Sequence, residues 1–315
     1  MTNHFTYAGQ RHAWLQTHSV SDADRAAMAA LRELTAAHKG KLRGIAARAP
    51  FDDIMLRVSA PANMRYQEDT IGGVHGWWCH PEGAREGAAI LHLHGGWFSW
   101  GSARTFRNLV GHIAQRANVS AFIPDYRLAP EHPYPAGMMD AVAVFRGLSV
   151  EHGLTVAVSG DSAGGGLALS LLSMLAAEAH GTQPVAAAVI SPVTDLTLSG
   201  ASWRTRAKAD PYFVLDQGRH QVEAYLNGQD AAALQVSPLF ADLAGLPPIR
   251  VHVGDDEVLL DDALRYAERA AAAGSDIGVE VWMGMAHGFA GAVGRMDAAG
   301  LALDAIAGFL AQQLS

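Results

Sequence analysis

Short apolar runs separated by longer segments with helical spacing form the main pattern of this chain from residue 88 onward. Apolar runs of about four to eight residues between turn signals are typical of strands buried on both faces. Helix-length connections between such strands indicate βαβ units, and therefore a mostly parallel, doubly wound α/β sheet. The predicted strands lie at residues 88–94, 121–124, 156–160, 186–190, 249–253 and 279–282.

The N-terminal region follows a different pattern. Ser21 is a favourable N-cap for a helix in which Met28, Leu31 and Leu34 recur at helical spacing, and Gly40 is expected to end this helix. The spacing predicts an amphipathic helix with one apolar face.

The predicted organisation is one α/β domain with a small helical cap. Residues 55–79 alternate apolar and polar positions around two adjacent glycines, which predicts antiparallel strands at the sheet edge. We expect residues 1–50 to form cap helices and residues 51–315 to form the α/β domain, interrupted at about 195–235 by a lid insertion. The alternative for this insertion is a surface excursion whose aromatic residues are packed into the core. Those aromatic residues are Trp203, Tyr212, Phe213 and Tyr225.

Composition and charge exclude several partners. The chain has 31 acidic and 23 basic residues, and its formal charge of -8 has the wrong sign for binding nucleic acid or an anionic membrane. The single cysteine, Cys79, excludes an internal disulfide and Cys-based metal clusters. Residues 1–10 do not resemble a secretion signal, so we expect a cytoplasmic protein. The longest apolar stretch, 167–179, is too short to cross a bilayer and predicts a buried helix.

The strongest chemical signal is the sequence Gly-Asp-Ser-Ala-Gly-Gly at residues 160–165. It follows a predicted strand and precedes the predicted buried helix, which is the context of a nucleophile elbow. In such a turn Ser162 is held at the carboxyl end of the sheet, and the N–H groups at the start of the following helix can bind developing negative charge. A glycine-rich chain can contain this motif by chance, so the strand and helix around it carry the interpretation.

A second glycine motif follows the first parallel strand, where Gly95, Gly96 and Trp97 come after His94. Glycines at this position let backbone N–H groups turn toward a ligand, so this loop is a candidate oxyanion hole. The alternative is a metal pair formed by His92 and His94. No Asp, Glu or Cys lies beside them at ligand spacing, so we predict no metal at this pair.

A general base and an acid are expected near the C-terminus. His287 lies just beyond the last predicted strand, in the chain order serine, acid, histidine that this fold uses. Taken alone, one of 15 histidines is more often a loop residue with no catalytic role. Most of the nearby carboxylates are expected to be solvated charges at a helix start, and one of them to be the acid. They are Asp255, Asp256, Glu257, Asp261 and Asp262.

Together these motifs resemble the bacterial hormone-sensitive-lipase-like esterases, also called family IV lipolytic enzymes. The resemblance covers about three quarters of the chain and rests on residues 94–96, 125–133, 160–165 and 287–289, in that order. It implies an eight-stranded α/β-hydrolase core, a helical cap and hydrolysis of carboxylic esters without a cofactor. It also implies that the motif at 125–133 holds the oxyanion loop.

Carried over residue by residue, the resemblance implies Ser162 as nucleophile, His287 as base and an oxyanion hole formed at Gly95, Gly96, Trp97 and Ala163. Two departures stand out. Trp97 replaces a third glycine, and the acid motif D-P-L-x-D becomes Glu-Val-Leu-Leu-Asp at residues 257–261. A gapless match favours Glu257 as the acid, with Asp256 as second choice.

The expected substrate is a small ester. Phe98 and Trp100 beside the oxyanion loop, and Tyr212 and Phe213 from the insertion, are candidate pocket residues, and Trp97 adds bulk at the acyl site. A pocket of limited volume predicts acyl groups of about two to six carbons.

Two other functions use the same residues or the same fold. A lactonase or another acyl hydrolase would need the same triad. A ligand receptor on this fold is disfavoured because His287 is present. The resemblance also implies a two-fold homodimer through the last strand and its neighbouring helix, near residues 279–283.

Overall fold

One nine-stranded sheet runs through the part of the chain that the computed structural model describes, namely residues 9, 12–178 and 181–315. Its strands are β1 Leu15–His18, β2 Met64–Ile71, β3 Val74–Pro81, β4 Arg85–Leu93, β5 Val119–Pro124, β6 Thr155–Asp161, β7 Ala187–Ile190, β8 Ile249–Gly254 and β9 Ile277–Trp282. Their order across the sheet is β1-β9-β8-β7-β6-β4-β5-β3-β2, and only the pairings of β3 are antiparallel. All six strands predicted from apolar runs are present, so the mostly parallel, doubly wound sheet is confirmed.

Helices cover both faces of this sheet. The α-helices of the described residues are α1 Asp22–Thr35, α2 Arg48–Met55, α3 Ala103–Ala117, α4 Ala136–Arg146, α5 Ser162–Ala176, α6 Ser202–Thr205, α7 Leu215–Leu226, α8 Leu260–Ala272 and α9 Asp297–Gln313. Alternate residues of a strand point to opposite faces. In β4, Ala89 and Leu91 therefore join the core under α4, α5 and α8, whereas Ala88 and Ile90 join the core under α3 and α9.

The predicted antiparallel edge is formed by the β2–β3 hairpin, in which Ile71 pairs with Val74 across Gly72 and Gly73. Both glycines have positive φ angles, +57° and +79°, which a tight turn requires. β3 also pairs antiparallel with β5, so the hairpin joins the parallel strands. This part of the sequence pattern is confirmed.

The ninth strand, β1, differs from the expectation that residues 1–50 contribute only cap helices. Backbone pairing aligns β1 with β9 in parallel, from Leu15 opposite Val279 to His18 opposite Trp282. The His18 ring also stacks on Trp282, with a centroid distance of 3.9 Å. The outer edge of β9 is therefore occupied by the chain itself, and the expectation that residues 279–283 pair two subunits is wrong.

The remaining N-terminal expectations concern α1 and the segments beside it. The Ser21 side chain caps α1 by accepting from the Asp24 N–H at 3.1 Å, as its sequence position predicted. The helix ends at Thr35, before Gly40 with its φ of +70°. Residues 1–10, apart from residue 9, lie outside the described residues, as does residue 179 at the end of the predicted buried helix.

The segment predicted as a lid insertion, at about residues 195–235, contains α6 and α7. Trp203 and Tyr225 are buried in the main core, and Phe213 packs against that core. No helix within the described residues combines the length and the apolarity needed to cross a bilayer.

Asp24 joins α1 to the C-terminal helix. Its two carboxylate oxygens accept from the N–H groups of Asp297 and Ala298 at 2.9 Å each, at the start of α9. These N–H groups have no acceptor within their own helix, and a carboxylate at a helix N-terminus is also favoured by the helix dipole.

We therefore expect Asp24→Ala to lower the free energy of unfolding by about 1–3 kcal/mol, because it leaves one buried and one partly buried N–H donor without an acceptor. Denaturant unfolding would measure the change. Asp22→Ala is the control, since Asp22 is solvent-exposed and forms only a long contact with Arg25; its effect should stay within about 0.5 kcal/mol. Equal effects of the two substitutions would contradict the capping role of Asp24.

Candidate active site

The turn between β6 and α5 forces Ser162 into a strained backbone conformation. Its φ is +54°, in a region that residues with a side chain seldom occupy, and the residue is only 4% exposed. The turn also requires close backbone contact, because a Cβ on Gly164 would lie 2.1 Å from the Leu93 carbonyl oxygen. Only glycine fits there, so the motif predicted from sequence forms the sharp elbow that presents a serine at the carboxyl end of the sheet.

The loop after β4 turns through three consecutive residues with positive φ: Gly96 at +115°, Trp97 at +56° and Phe98 at +59°. Two adjacent bulky residues in this region are unusual, and each such residue costs about 1–3 kcal/mol unless its surroundings hold it. Among the described groups, the N–H of Gly96 and the N–H of Trp97 donate to no protein acceptor. The loop therefore has free donors beside the elbow.

Gly95 takes a different role from the one predicted. Its N–H was expected to join the oxyanion hole, but it donates to Asp161 Oδ1 at 3.0 Å. A Cβ at Gly95 would lie 2.3 Å from Asp161 Oδ2, so glycine is needed for this approach. The assignment of Gly95 as an oxyanion donor is therefore wrong. The residue ties the oxyanion loop to the residue before Ser162.

Residues of the motif at 125–133, together with Arg48, hold the two ends of the candidate oxyanion loop after β4. The Tyr126 hydroxyl donates to the His94 carbonyl oxygen at 2.7 Å. From α2, the Arg48 guanidinium donates to the Ser99 carbonyl at 2.8 Å and forms a two-pronged ion pair with Glu131. These contacts restrain the strained residues 97 and 98 from both ends.

His92 in β4 and His94, which directly follows β4, bond to separate partners. His92 Nδ1 lies 2.8 Å from Ser159 Oγ, and His94 Nδ1 lies 2.8 Å from the Gly95 carbonyl oxygen. The His94 ring stacks on Tyr126 at 4.4 Å, and burial lowers its pKa. In the described part of the chain, no three His, Cys, Asp or Glu side chains form a group that could hold a metal ion.

The carboxylate of Glu257 lies against the imidazole of His287. Glu257 follows β8 and His287 follows β9, so adjacent parallel strands bring both residues to one edge of the sheet. Glu257 Oε2 is 2.8 Å from His287 Nδ1, and Oε1 accepts from Ser191 Oγ and the Gly254 N–H at 2.7 Å each. With both oxygens bonded and the residue 0% exposed, Glu257 is held in one orientation.

The neighbouring carboxylates point elsewhere. Asp256 pairs with Arg32 of α1, and Asp255 accepts from the Gly284 N–H. Asp262 accepts from the N–H groups of Thr194 and Asp195 at 2.8 and 3.0 Å, while Asp261 accepts from the Ser202 N–H. Of the two acids considered from the sequence, the structure therefore brings only Glu257 to His287.

Comparisons with known proteins agree with this geometry. A profile of the family described as alpha/beta hydrolase fold matches residues 90–291. The chain belongs to this family. It is 38% identical over 221 residues to an acetyl-hydrolase of Streptomyces hygroscopicus, covering 69% of this chain and 73% of that protein. It is 37% identical over 204 residues to an esterase of Acinetobacter venetianus, covering 64% and 67%.

Solved structures extend the similarity to nearly the whole hydrolase. An esterase from the bacterial hormone-sensitive lipase family superposes with a TM-score of 0.87 at 33% identity, covering 94% of this chain and 99% of that one. A hormone-sensitive lipase from a metagenome library gives a TM-score of 0.88 at 31% identity, covering 95% and 100%. The predicted resemblance to this group of α/β-hydrolases is confirmed.

The surroundings of His287 raise its pKa and so stabilise the protonated, positively charged imidazolium. Burial lowers the pKa of His287, but the hydrogen bond and the charge of Glu257 outweigh burial and raise the pKa above its usual value. The carboxylates of Asp210 and Asp161 act in the same direction. A histidine in this setting can accept a proton and remain stabilised as an imidazolium.

Only one of the four predicted pocket residues of the hydrolase has its ring against His287. That residue is Phe213, whose ring centroid lies 4.8 Å from the imidazole and 5.4 Å from the Trp97 ring. Tyr212 lies behind it, at 6.2 Å from Phe213, and burial raises the pKa of Tyr212 to about 12.

The other two predicted pocket residues support the loop instead. Phe98 stacks on Tyr225 at 3.9 Å, and the Trp100 indole donates to the Gly44 carbonyl oxygen at 2.8 Å while its ring packs near Phe51. The positive φ angles of residues 97 and 98 turn the chain back toward the core, where Phe98 and Trp100 are buried. The sequence showed that the aromatic residues were close to the loop but not in which direction the strained turn would send them.

Two polar residues of the site were missed in the sequence. Asp161 lies inside the elbow motif, and its position next to Ser162 was an available signal. Asp210 precedes Pro211, and an Asp-Pro pair favours the start of a turn. Nothing in the local sequence links that turn to His287.

The pairing of Glu257 with His287 leads to a prediction about pH. In Glu257→Gln the contribution that raises the pKa of His287 is lost while burial persists, so the acid limb of kcat/KM should move to lower pH. Loss of the orienting carboxylate should also lower kcat by on the order of 10⁴. Hydrolysis rates of an aryl ester across pH would measure both effects.

Asp256→Asn is the matched comparison. It breaks a partly exposed ion pair worth about 1 kcal/mol or less, so the loss in kcat should stay under about tenfold. A severe loss confined to Asp256→Asn would mean that the acid was wrongly assigned.

Proposed function

We propose that this hydrolase is a carboxylesterase that cleaves short-chain acyl esters with Ser162 as nucleophile, His287 as base and Glu257 as the orienting acid. The observation that carries the proposal is the 2.8 Å contact of Glu257 with His287 Nδ1 at the sheet edge that also carries the strained Ser162. Relatives named as esterases and acetyl-hydrolases support the same reaction class.

The mechanism follows from this geometry. His287 Nδ1–H donates to Glu257, which leaves Nε2 with a lone pair for the Ser162 proton. As the serine oxygen attacks the ester carbonyl, the N–H groups of Gly96, Trp97 and Ala163 stabilise the oxyanion. The imidazolium then gives its proton to the leaving alcohol, and an acyl-enzyme forms. Water, activated by the same histidine, releases the acid and restores the serine.

Substrate size depends on the aromatic wall beside the oxyanion loop. Trp97 is buried and packs edge to face on Phe213, which in turn contacts His287. These rings limit the volume next to the reacting carbonyl, which supports a small acyl group of about two to six carbons. The sequence predicted no cofactor, and the mechanism proposed above is written with groups of the chain and one water molecule.

We also propose that the protein is a cytoplasmic homodimer that acts on a small ester. The single, buried and unpaired cysteine, Cys79, supports a reducing compartment. Because β1 covers β9, the two subunits would meet through a surface other than that strand.

The first test of the proposed function is Ser162→Ala. This change removes only a hydroxyl, so we expect esterase activity to be abolished while the circular dichroism spectrum and melting temperature stay near those of the parent. A fluorophosphonate reacts with an activated oxygen, so it should label the parent at Ser162 and leave the variant unlabelled. If the protein were a receptor, its pocket would have no activated oxygen and the parent would not be labelled. Activity within tenfold of the parent in Ser162→Ala would reject the nucleophile.

The second test is a ladder of aryl esters of increasing acyl length, run beside lactones. We expect the highest kcat/KM at about two to six acyl carbons, and Trp97→Gly should move the optimum toward bulkier acyl groups because it removes the indole beside Phe213. Trp77→Phe is the control, since Trp77 lies in β3 and its ring packs on Arg107 of α3. An unchanged profile in Trp97→Gly would contradict the placement of the indole at the acyl site, and faster lactone than ester hydrolysis would change the substrate class.

A further inference from the structure

A buried carboxylate in the lid, Asp210, accepts three backbone hydrogen bonds. Oδ1 accepts from the N–H groups of Tyr212 and Phe213 at 2.7 and 2.9 Å, and Oδ2 accepts from the Val258 N–H at 2.9 Å. The residue is 1% exposed. A carboxylate with this many N–H donors is fixed in position, since each donor would otherwise be buried without a partner.

The three donors belong to two segments that approach His287 from different sides. Val258 directly follows Glu257, so Asp210 fixes the backbone beside the proposed triad acid. Phe213 places its ring against the imidazole at 4.8 Å. Asp210 therefore bonds through Oδ2 to the residue after Glu257 and through Oδ1 to Phe213, the aromatic neighbour of His287.

The backbone of the same segment is anchored to α1 and to Lys39 in the turn that follows it. The Arg32 Nε–H donates to the Ala209 carbonyl oxygen at 3.1 Å, while its guanidinium also pairs with Asp256. Lys39 donates through Nζ to the carbonyl oxygens of Ala207 and Asp210. The lid segment is thus held by the N-terminal helix on one side and by the acid loop on the other.

We propose that Asp210 is a positioning residue of the hydrolase, which locks the Glu257 loop and the Phe213 ring onto His287. The inference rests on the proposed function, because it assigns a role within the Ser162, His287 and Glu257 machinery. Asp210 acts through its backbone bonds and through its charge, without touching the substrate.

The charge of Asp210 has a defined direction of effect. Glu257 hydrogen bonds to His287, and the charges of Glu257, Asp210 and Asp161 all act to raise the pKa of His287. Within the described residues, the Asp210 carboxylate forms no ion pair with a Lys or Arg side chain. Burial raises the pKa of Asp210, and the three N–H donors and the charge of His287 oppose that shift. A negative charge held there stabilises the imidazolium that forms when Ser162 loses its proton.

The decisive variant is Asp210→Asn, which keeps one oxygen as acceptor but removes the charge and turns an amide group toward the Val258 N–H. We expect kcat to fall by about 10- to 100-fold, because a small displacement of the base is enough to cause such a loss. The acid limb of kcat/KM should move to lower pH, since one of the charges that raise the pKa of His287 is gone. Aryl ester hydrolysis across pH measures both.

Asp210→Glu separates charge from position and also serves if Asp210→Asn does not fold. It retains the negative charge but shifts the acceptor oxygens by one methylene. We expect a reduced kcat with the acid limb close to that of the parent. A kcat equal to the parent in Asp210→Glu would overturn the positioning role.

Asp24→Asn is the matched control, because Asp24 is also buried and also accepts backbone N–H groups with both oxygens, at α9. It should lower the melting temperature while leaving kcat and the acid limb unchanged. Parent-like kinetics in Asp210→Asn, or an equal displacement of the acid limb in Asp24→Asn, would overturn the proposal. If the parent and Asp24→Asn were both inactive and unlabelled by fluorophosphonate, the proposed function would fail instead.

Discussion

The close approach of two backbone segments at the centre of the sheet is the constraint on which the site depends. The first turn of α5 lies so near the end of β4 that a methyl group on Gly164 would overlap the Leu93 carbonyl oxygen, at 2.1 Å. Asp161 then reaches across to the Gly95 N–H. Ser162 can keep its positive φ because these contacts hold the backbone in that conformation. The elbow and the oxyanion loop are therefore held as one rigid unit.

The parts of the fold that could be predicted are those in which burial leaves a pattern in the sequence. A parallel strand covered on both faces must be apolar throughout, and β4 and β6 carry this signal plainly. β1 carries no such signal, because Leu15–His18 is only four residues long and mostly polar. Its position depends on backbone pairing with a strand far along the chain. Pairing of that kind does not constrain side-chain type, so the ninth strand could not be predicted.

The candidate site, like the fold, has one part that could be predicted from the sequence and one part that could not. The positions of Ser162, His287 and Glu257 follow from their order after consecutive strands, because carboxyl ends of parallel strands meet at one edge. The directions of Phe98 and Trp100 do not follow from that order, since they depend on two left-handed residues that only the folded loop can hold. Asp210 was missed because its importance comes from the Val258 N–H in another segment.

The strand β1 also changes how the sheet meets its surroundings. Without it, β9 would present six residues of largely apolar sequence with unpaired backbone groups along one side, which is the kind of edge that recruits strands from other molecules. The segment that covers it is short and places His18 against Glu280, so the new outermost strand offers little surface for further pairing. The N-terminal segment thus occupies the side of β9 that would otherwise be open to pairing with a strand of another molecule.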